Sequence, residues 1–523
     1  MSFLARSLDR AIEAVSPQRG VDRAVARLRL GLAQALVERR GGGRTGGYRN
    51  WWPRVTTRGE ETLSREALAL RAKDLAANDG HAASTIRTLC LNVVGKGLTP
   101  QSQPKTEVLG ISEAEAQAFA RQAEWAFGLW AKEADASGRL SFAEIQRMDL
   151  RTAGVLGETL KLMVSREPGP GRPFSLAVQV LDPLRLRTPS DLVGDLAVRD
   201  GIRLGPGGEP LAYHLADPAD WQLPTGLTSE HFQIFPPRRG HRWVCLHRIL
   251  DGEAEQIRGL SPLNAAMGLI KRLDEYFDME LAGAISAANF AVHMDTGSDA
   301  REAEKMFRGF GNTDASALKS DPVYQLEPGQ ITYGPYRPHI LASPRPNNSF
   351  PAFVKSLERR TAASQGLPHL LTSKDFSEVN YSSARAAYLE AWKLFAYLRA
   401  WEVEGACQPI WEMVLEEAVC LGLVQVPGGV DRFYENREAW CNAAWTGPGR
   451  GMLDPNKEME AYEKGLNNNV LTLAQIHAEL GGDWQDALKQ RAREEDEMRR
   501  LGLTRVPSAS SPSADDPPAE VSS

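Results

Sequence analysis

The chain reads as an α+β protein, predominantly helical, and three observations predict that class. Apolar side chains recur every three or four residues over 262–290 and 382–406, the spacing of long amphipathic helices. Ahead of both lies a block at 159–250 whose short apolar runs are split by Pro168-Gly169-Pro170-Gly171, Gly205-Pro206-Gly207-Gly208 and Pro236-Pro237. Such punctuation bounds strands and hairpins. Third, 42% hydrophobic and 24% charged residues over 523 positions describe an ordinary globular chain, long enough for several cores.

In order along the chain, residues 1–50 carry ten arginines against four acids and form a basic arm. Val21, Val25, Leu28, Leu32, Ala35 and Leu36 predict one amphipathic helix there, ended by Gly41-Gly42-Gly43. Two helices follow over 63–94. Leu68, Ala72 and Leu75 share a face of the first, and Ala82, Ile86, Leu89 and Val93 a face of the second. Asn78-Asp79-Gly80 separates them, and Gly95 and Gly97 end the second. A helix over 113–134 carries Trp125, Phe127 and Trp130 and opens on a capping box, Ser112 with Glu115; Ser141 with Glu144 opens another, running to about Leu156.

Strands are predicted at 160–164, 176–181, 197–199, 202–204, 211–215 and 243–247, as one small sheet of mainly antiparallel hairpins. The long middle helix begins after Ser261-Pro262, the proline suiting a first turn. Its stripe runs through Leu273, Phe277 and Leu281 and must bury against a neighbouring helix, in this chain or in another subunit. One or two strands within 325–351 and a helix over 353–365 come next. A polar loop, Thr372 to Asn380, leads into the second long helix, from Ser382 to about Ala406. Pro409 is expected to interrupt it before Ile410, Trp411, Val414 and Leu415 resume the apolar pattern. Short helices at 454–463 and 473–479 precede a very polar one at 485–500. The tail from Pro507 has no apolar period and is expected to be disordered.

Several function classes lose support here. The five cysteines are scattered without CxxC or CxxH spacing, against a disulfide framework or zinc module and for a reducing compartment. No apolar run approaches the ~20 residues of a spanning helix, and Met1 to Val15 lacks the apolar core of a secretory signal. GxxxxGK[ST], HExxH and GxSxG are all absent. His241, Cys245 and His247 lie close together, but Trp243, Cys245 and His247 share a strand face and read as a packed edge. Asp274 and Asp278, four apart beside Lys271 and Arg272, read as a solvated face or intersubunit salt bridges. Trp392, Tyr397, Trp401 and Trp411 read as core rather than a base-stacking platform. No catalytic residue, metal ligand or cofactor site is assigned. The enzyme alternative is a soluble metal-dependent nuclease or hydrolase acting near 241–247 or 274–280.

Four blocks carry more. They are Asn92-Val93-Val94-Gly95-Lys96-Gly97-Leu98-Thr99-Pro100; Arg258-Gly259-Leu260-Ser261-Pro262-Leu263; Asn380-Tyr381-Ser382-Ser383-Ala384-Arg385; and Trp445-Thr446-Gly447-Pro448 leading to Asp454-Pro455-Asn456-Lys457-Glu458. In this order and spacing the chain resembles the lambda-like portal family of tailed bacteriophages, over roughly 51–503.

The resemblance implies a dodecameric ring at one capsid vertex, with wing, stem, clip and crown regions around a tunnel for double-stranded DNA. It also implies a virion component assembled in the host bacterial cytoplasm and no membrane association. The implied partners are the terminase large subunit, the major capsid or scaffold protein and head-completion proteins. Carried onto this chain, it divides residues into a 1–50 arm, a 51–250 wing with a small sheet, and a 251–380 stem and body. A 381–503 segment of long helix and crown helices and a 504–523 tail complete the division. Ser373, Lys374, Asp375, Phe376 and Ser377 become the candidate DNA-facing tunnel loop, Lys374 touching phosphate without reading sequence; an ordinary intersubunit loop is the alternative. The 210–250 hairpins are clip or wing. A formal net charge of −6 suits a conduit, since sliding DNA must avoid a deep electrostatic well.

Overall fold

The computed structural model describes residues 58–218, 227–288, 292–295, 331–334, 349–377, 379–452 and 454–503. The chain divides into two units, Met1–Ser64 and Arg65–Ser523, and of the first only 58–64 are described, as the start of a helix. The predicted basic arm and tail lie outside the described residues.

Helices α1 (Arg58–Asn78) and α2 (Gly80–Val93) are joined by a single residue. Asp79 makes that turn possible, because its carboxylate accepts from the Ala82 amide at 2.6 Å and caps α2. Strand β1 (Thr99–Ser102) follows, then α3 (Glu113–Ala131) and α4 (Phe142–Leu156), each opening on its predicted capping box. Seven strands of the middle block come next: β2 (Glu158–Ser165), β3 (Leu176–Leu181), β4 (Val198–Arg199), β5 (Ile202–Leu204), β6 (Pro210–Ala216), β7 (Phe232–Phe235) and β8 (Arg238–Arg239). They continue into β9 (Arg242–Trp243) and β10 (Cys245–Ile249).

These strands do not make one sheet. They form a three-stranded sheet of order β10-β2-β3, a four-stranded sheet of order β4-β5-β6-β7 and the separate β8-β9 hairpin. Leu160, Leu162, Leu181 and Cys245 of the first sheet share a core with Ile202, Tyr213 and Leu215 of the second. Two faces can bury the same apolar side chains against each other, which a single sheet of this length could not.

The long helix α5 spans Asn264–Ala288, with β11 (Val292–Asp295) and β12 (Ile331–Gly334) pairing in parallel beyond it. Then come α6 (Phe350–Ser364), α7 (His369–Ser373) and α8 (Tyr381–Glu402). Pro409 does not break the helix as expected. A π-helical turn at Val403–Cys407 leads straight into α9 (Gln408–Cys420). Proline lacks an amide hydrogen and crowds the carbonyl four residues back, and the wider turn absorbs both defects. Strand β13 (Ala443–Thr446) and helices α10 (Pro455–Asn467), α11 (Leu473–Glu479) and α12 (Trp484–Arg500) complete the described chain.

The main core packs α3, α4, β3 and α9 around Trp130, Trp411 and Trp440, all fully buried. Each indole N–H is satisfied, Trp130 by the Leu176 carbonyl, Trp411 by Cys441 and Trp440 by Arg432. A second core joins α2, α4 and α8 through Val93, Val94, Leu150, Phe395 and Leu398.

Candidate functional site

The sequence blocks are scattered along the chain, and the fold brings two pairs of partners together around them. Strand β1, from the first block, pairs antiparallel with β13, from the last, Thr99 opposite Thr446. Gly95 turns with φ +55°, and a Cβ there would stand 2.6 Å from Pro448 Cγ, so the first block needs glycine to seat the last. Arg399 of α8 closes the junction by donating to the carbonyls of Asn92, Val93 and Pro448 at 3.0–3.2 Å. Gln146 of α4 accepts from the Leu98 amide and donates to the Leu98 carbonyl, pinning the same stretch from below.

The second block anchors elsewhere. Arg258 is buried and donates to Glu158 through Nε at 2.9 Å and Nη2 at 2.6 Å, while its remaining donors reach the carbonyls of Pro183, Leu186 and Asp200. The Gly259 amide and His247 Nε2 complete the shell around the same carboxylate at 2.8 and 2.9 Å. Burial alone would push the Glu158 carboxyl up, but the Arg258 charge and these hydrogen bonds hold it well below the usual carboxylate range. Gly259 lies so close to Gly157 that a Cβ would overlap its backbone. The third block is a cap: Asn380 Oδ1 accepts from the Ser383 amide and starts α8.

The predicted loop and the predicted stripe lie next to each other. Ser373, Leu273 and Phe277 all line one cleft of about 360 Å3, with Asp79, His81, Asp274 and Glu358 at its rim. Ser373 closes α7, so the irregular loop begins at Lys374, which adopts a left-handed conformation with φ +61°. The Lys374 ammonium folds back on α2 and donates to Thr88 Oγ1 at 2.7 Å; burial lowers its pKa. Asp375 Oδ1 accepts from the amide and hydroxyl of Ser377, a local turn that holds Asp375 below its ordinary value. Phe376 is left 55% exposed between them.

Along α5 the stripe changes character. Leu273 is 6% exposed, Phe277 42% and Leu281 61%. Ala266 and Ile270 pack with Ala82 of α2, and Tyr276 and Phe277 meet Phe350 of α6 at 5.4 and 5.6 Å. Beyond Phe277 the apolar face is uncovered among the described residues.

The family profile described as phage portal protein, lambda family, matches residues 45–399. The chain belongs to that family. It is similar to the portal protein of Escherichia phage N15, at 26% identity over 484 residues covering 88% of this chain and 90% of that one. Portal protein B of Escherichia phage lambda is 26% identical over 452 residues, 83% of this chain and 84% of that protein. Among solved structures, a chain in the neck of an empty gene transfer agent particle computed with C6 symmetry is 16% identical. Its TM-score is 0.38, with 68% of this chain and 82% of that chain covered.

Membership in a family of portal proteins decides against the enzyme alternative and makes this chain a structural component of a virion at the capsid. The former enzyme candidates have structural partners. His247 is bonded to Glu158, Cys245 is buried in β10, and His241 shares Glu416 of α9 with Arg242 at 2.9–3.3 Å. Asp274 and Asp278 are exposed, and Lys271 pairs with Glu275 one turn on. Trp411 lies in the main core, Trp392 and Trp401 border the second core, and Tyr397 is half exposed with its hydroxyl on Asp251 at 2.5 Å.

Arg399, Gln146 and Glu158 escaped the sequence reading. Their roles depend on partners 48 to 307 residues away, and no local spacing marks them.

Proposed function

We propose that copies of this chain close into a ring, twelve in number as the family resemblance implies, at one capsid vertex, through which double-stranded DNA is packaged and ejected. The carrying observation is the half-covered stripe of α5. Leu273 is satisfied within the chain, while Phe277 and Leu281 present apolar surface that water penalises at about 25 cal/mol per Å2. A ring is a closed heterologous assembly, so each copy must offer such a surface on one flank to a different surface on the next.

In this reading α5 and α8 build the ring body and residues 373–377 face the tunnel, Phe376 and the backbone forming its surface while Lys374 braces the loop from behind. The β8-β9 hairpin belongs to the clip or the wing, and α10–α12 to the crown. The terminase large subunit docks on the ring during packaging, in the host cytoplasm, and head-completion proteins dock later; capsid or scaffold subunits surround it. DNA is held without sequence reading, by passage rather than by a tight electrostatic contact.

The test is assembly. Wild-type protein is expected to give rings with a central hole in electron microscopy and a native mass of about twelve chains. Phe277→Asp and Leu281→Asp are each expected to give monomers or aggregates. Leu281 is the more exposed, so its variant should keep the wild-type circular dichroism and melting temperature. Rings of unchanged mass from both variants would remove α5 from the subunit interface.

A further inference from the structure

Lys161 on β2, Asp149 on α4 and Glu402 at the end of α8 are all buried and meet in the core. Lys161 donates to Asp149 Oδ2. Counted as charges, the trio is one ammonium and two carboxylates, a net negative charge away from water. Written as carboxylates, Asp149 Oδ1 and Glu402 Oε1 are buried with no hydrogen-bond partner. An acid in that position takes up a proton rather than remain charged and undonated. One proton answers both orphans, since a protonated Glu402 has an O–H to donate to Asp149. Lys161 and Asp149 are then a balanced pair.

The place matters as much as the charge. Glu402 is the last residue of α8 and leads directly into the π-helical turn, and Cys407, which closes that turn, lies 3.5 Å from Gln146 Nε2 of α4. From β10, Arg248 runs against Gly405 and holds its guanidinium over the Trp401 ring at 5.8 Å. The charged and titratable neighbours of Glu402 are therefore Asp149 from α4, Lys161 from β2, Arg248 from β10 and Cys407 from the turn itself.

We propose that Glu402 and Asp149 share a single proton above Lys161, and that this proton holds the π-helical turn closed, so that its release loosens the junction between α8 and α9. On release the Glu402 O–H bond breaks and the proton passes to water or buffer; no other bond changes. Burial first, then the Asp149 charge, push the Glu402 carboxyl up to about 8. Lys161 keeps its charge, because the two carboxylates outweigh the burial that would lower it. Above that pH the core holds two carboxylates against one ammonium, and turning Glu402 outward pulls on the turn that follows it. At its other end α8 starts from Asn380, three positions after Ser377, so the same helix runs from the proton toward that loop.

Infrared spectroscopy of the folded wild-type chain tests the shared proton. A buried carboxylic-acid band is expected at neutral pH, titrating with a midpoint near 8 and missing from Glu402→Gln. Hydrogen exchange at 403–411, corrected for the intrinsic chemical rate, reads the turn. Exchange is expected to rise about tenfold between pH 7 and pH 9 in wild type and to stay flat in Glu402→Gln, whose amide replaces the protonated acid. Absence of the band from wild type at neutral pH overturns the proposal, and the wild-type measurement needs no variant to fold. So does an equal rise of exchange in Glu402→Gln.

Discussion

Replacing Arg258 with alanine removes more than a charge. The guanidinium gives Glu158 three hydrogen bonds, at 2.6–3.2 Å, and satisfies the carbonyls of Leu186, Pro183 and Asp200 at 2.7–2.9 Å. Both partners of the ion pair are no more than 3% exposed, so little solvent screens it. Breaking a buried pair from one side leaves an uncompensated charge and costs about 3–5 kcal/mol. Arg258→Lys keeps the charge but loses the planar fork, so an intermediate loss is expected.

The pH dependence identifies the cause. Glu158 is held below its ordinary 4.5, so its contribution to stability is present above that value and is lost as pH falls through the folded-state pKa. In Arg258→Ala burial remains while the guanidinium is gone, so the carboxyl rises and is neutralised far more easily. The deficit of the variant should therefore be largest near neutrality and shrink toward about pH 4.5. Urea unfolding followed by tryptophan emission at the two pH values measures it. A deficit under about 1 kcal/mol at neutrality, or one of equal size at both pH values, would refute the view that this arginine is an anchor of the fold.

Three further substitutions probe the junction and the loop. Gly95→Val combines a left-handed backbone with a Cβ pressed on Pro448, and a loss of about 2–4 kcal/mol is expected, seen as a lower melting temperature and faster proteolysis around 447–452. Lys374→Ala removes one hydrogen bond to Thr88, worth about 1 kcal/mol, so rings of unchanged mass should form. If the loop faces DNA, packaging by particles carrying Phe376→Ala, which trims the exposed side chain of that loop, should fall severalfold; wild-type packaging would take the loop out of the DNA path.

What could be read from the sequence was what sits within one helical turn. Ser112 with Glu115 and Ser141 with Glu144 announced two helix starts, and both are capping boxes in the structure. Helix α5 was legible from its stripe, but how far along the stripe the chain covers itself depends on Phe350, 73 residues beyond Phe277, and no periodicity reports that. Pro409 misled because the rule for proline assumes an α-helical neighbour, whereas a π turn supplies the space. The middle strands were recognised singly, yet their division into two facing sheets follows from tertiary packing of Leu160 and Leu162 against Tyr213 and Leu215. At the loop, Ser373 still belongs to α7 and Asp375 is fixed by a local turn, while the partner of Lys374 is Thr88, 286 residues earlier.

The pairing of β1 with β13 also has a consequence for synthesis. Thr99 and Thr446 are 347 positions apart, so the first strand leaves the ribosome long before its mate exists. Until then the edge that faces β13 waits, while the Ser102 amide, which points to the other side, is met by Glu124. Contacts of such long separation form late. A product that stops short of residue 443 can fold parts of its interior but never fasten this clasp, so incomplete copies carry an open strand edge that finished copies lack.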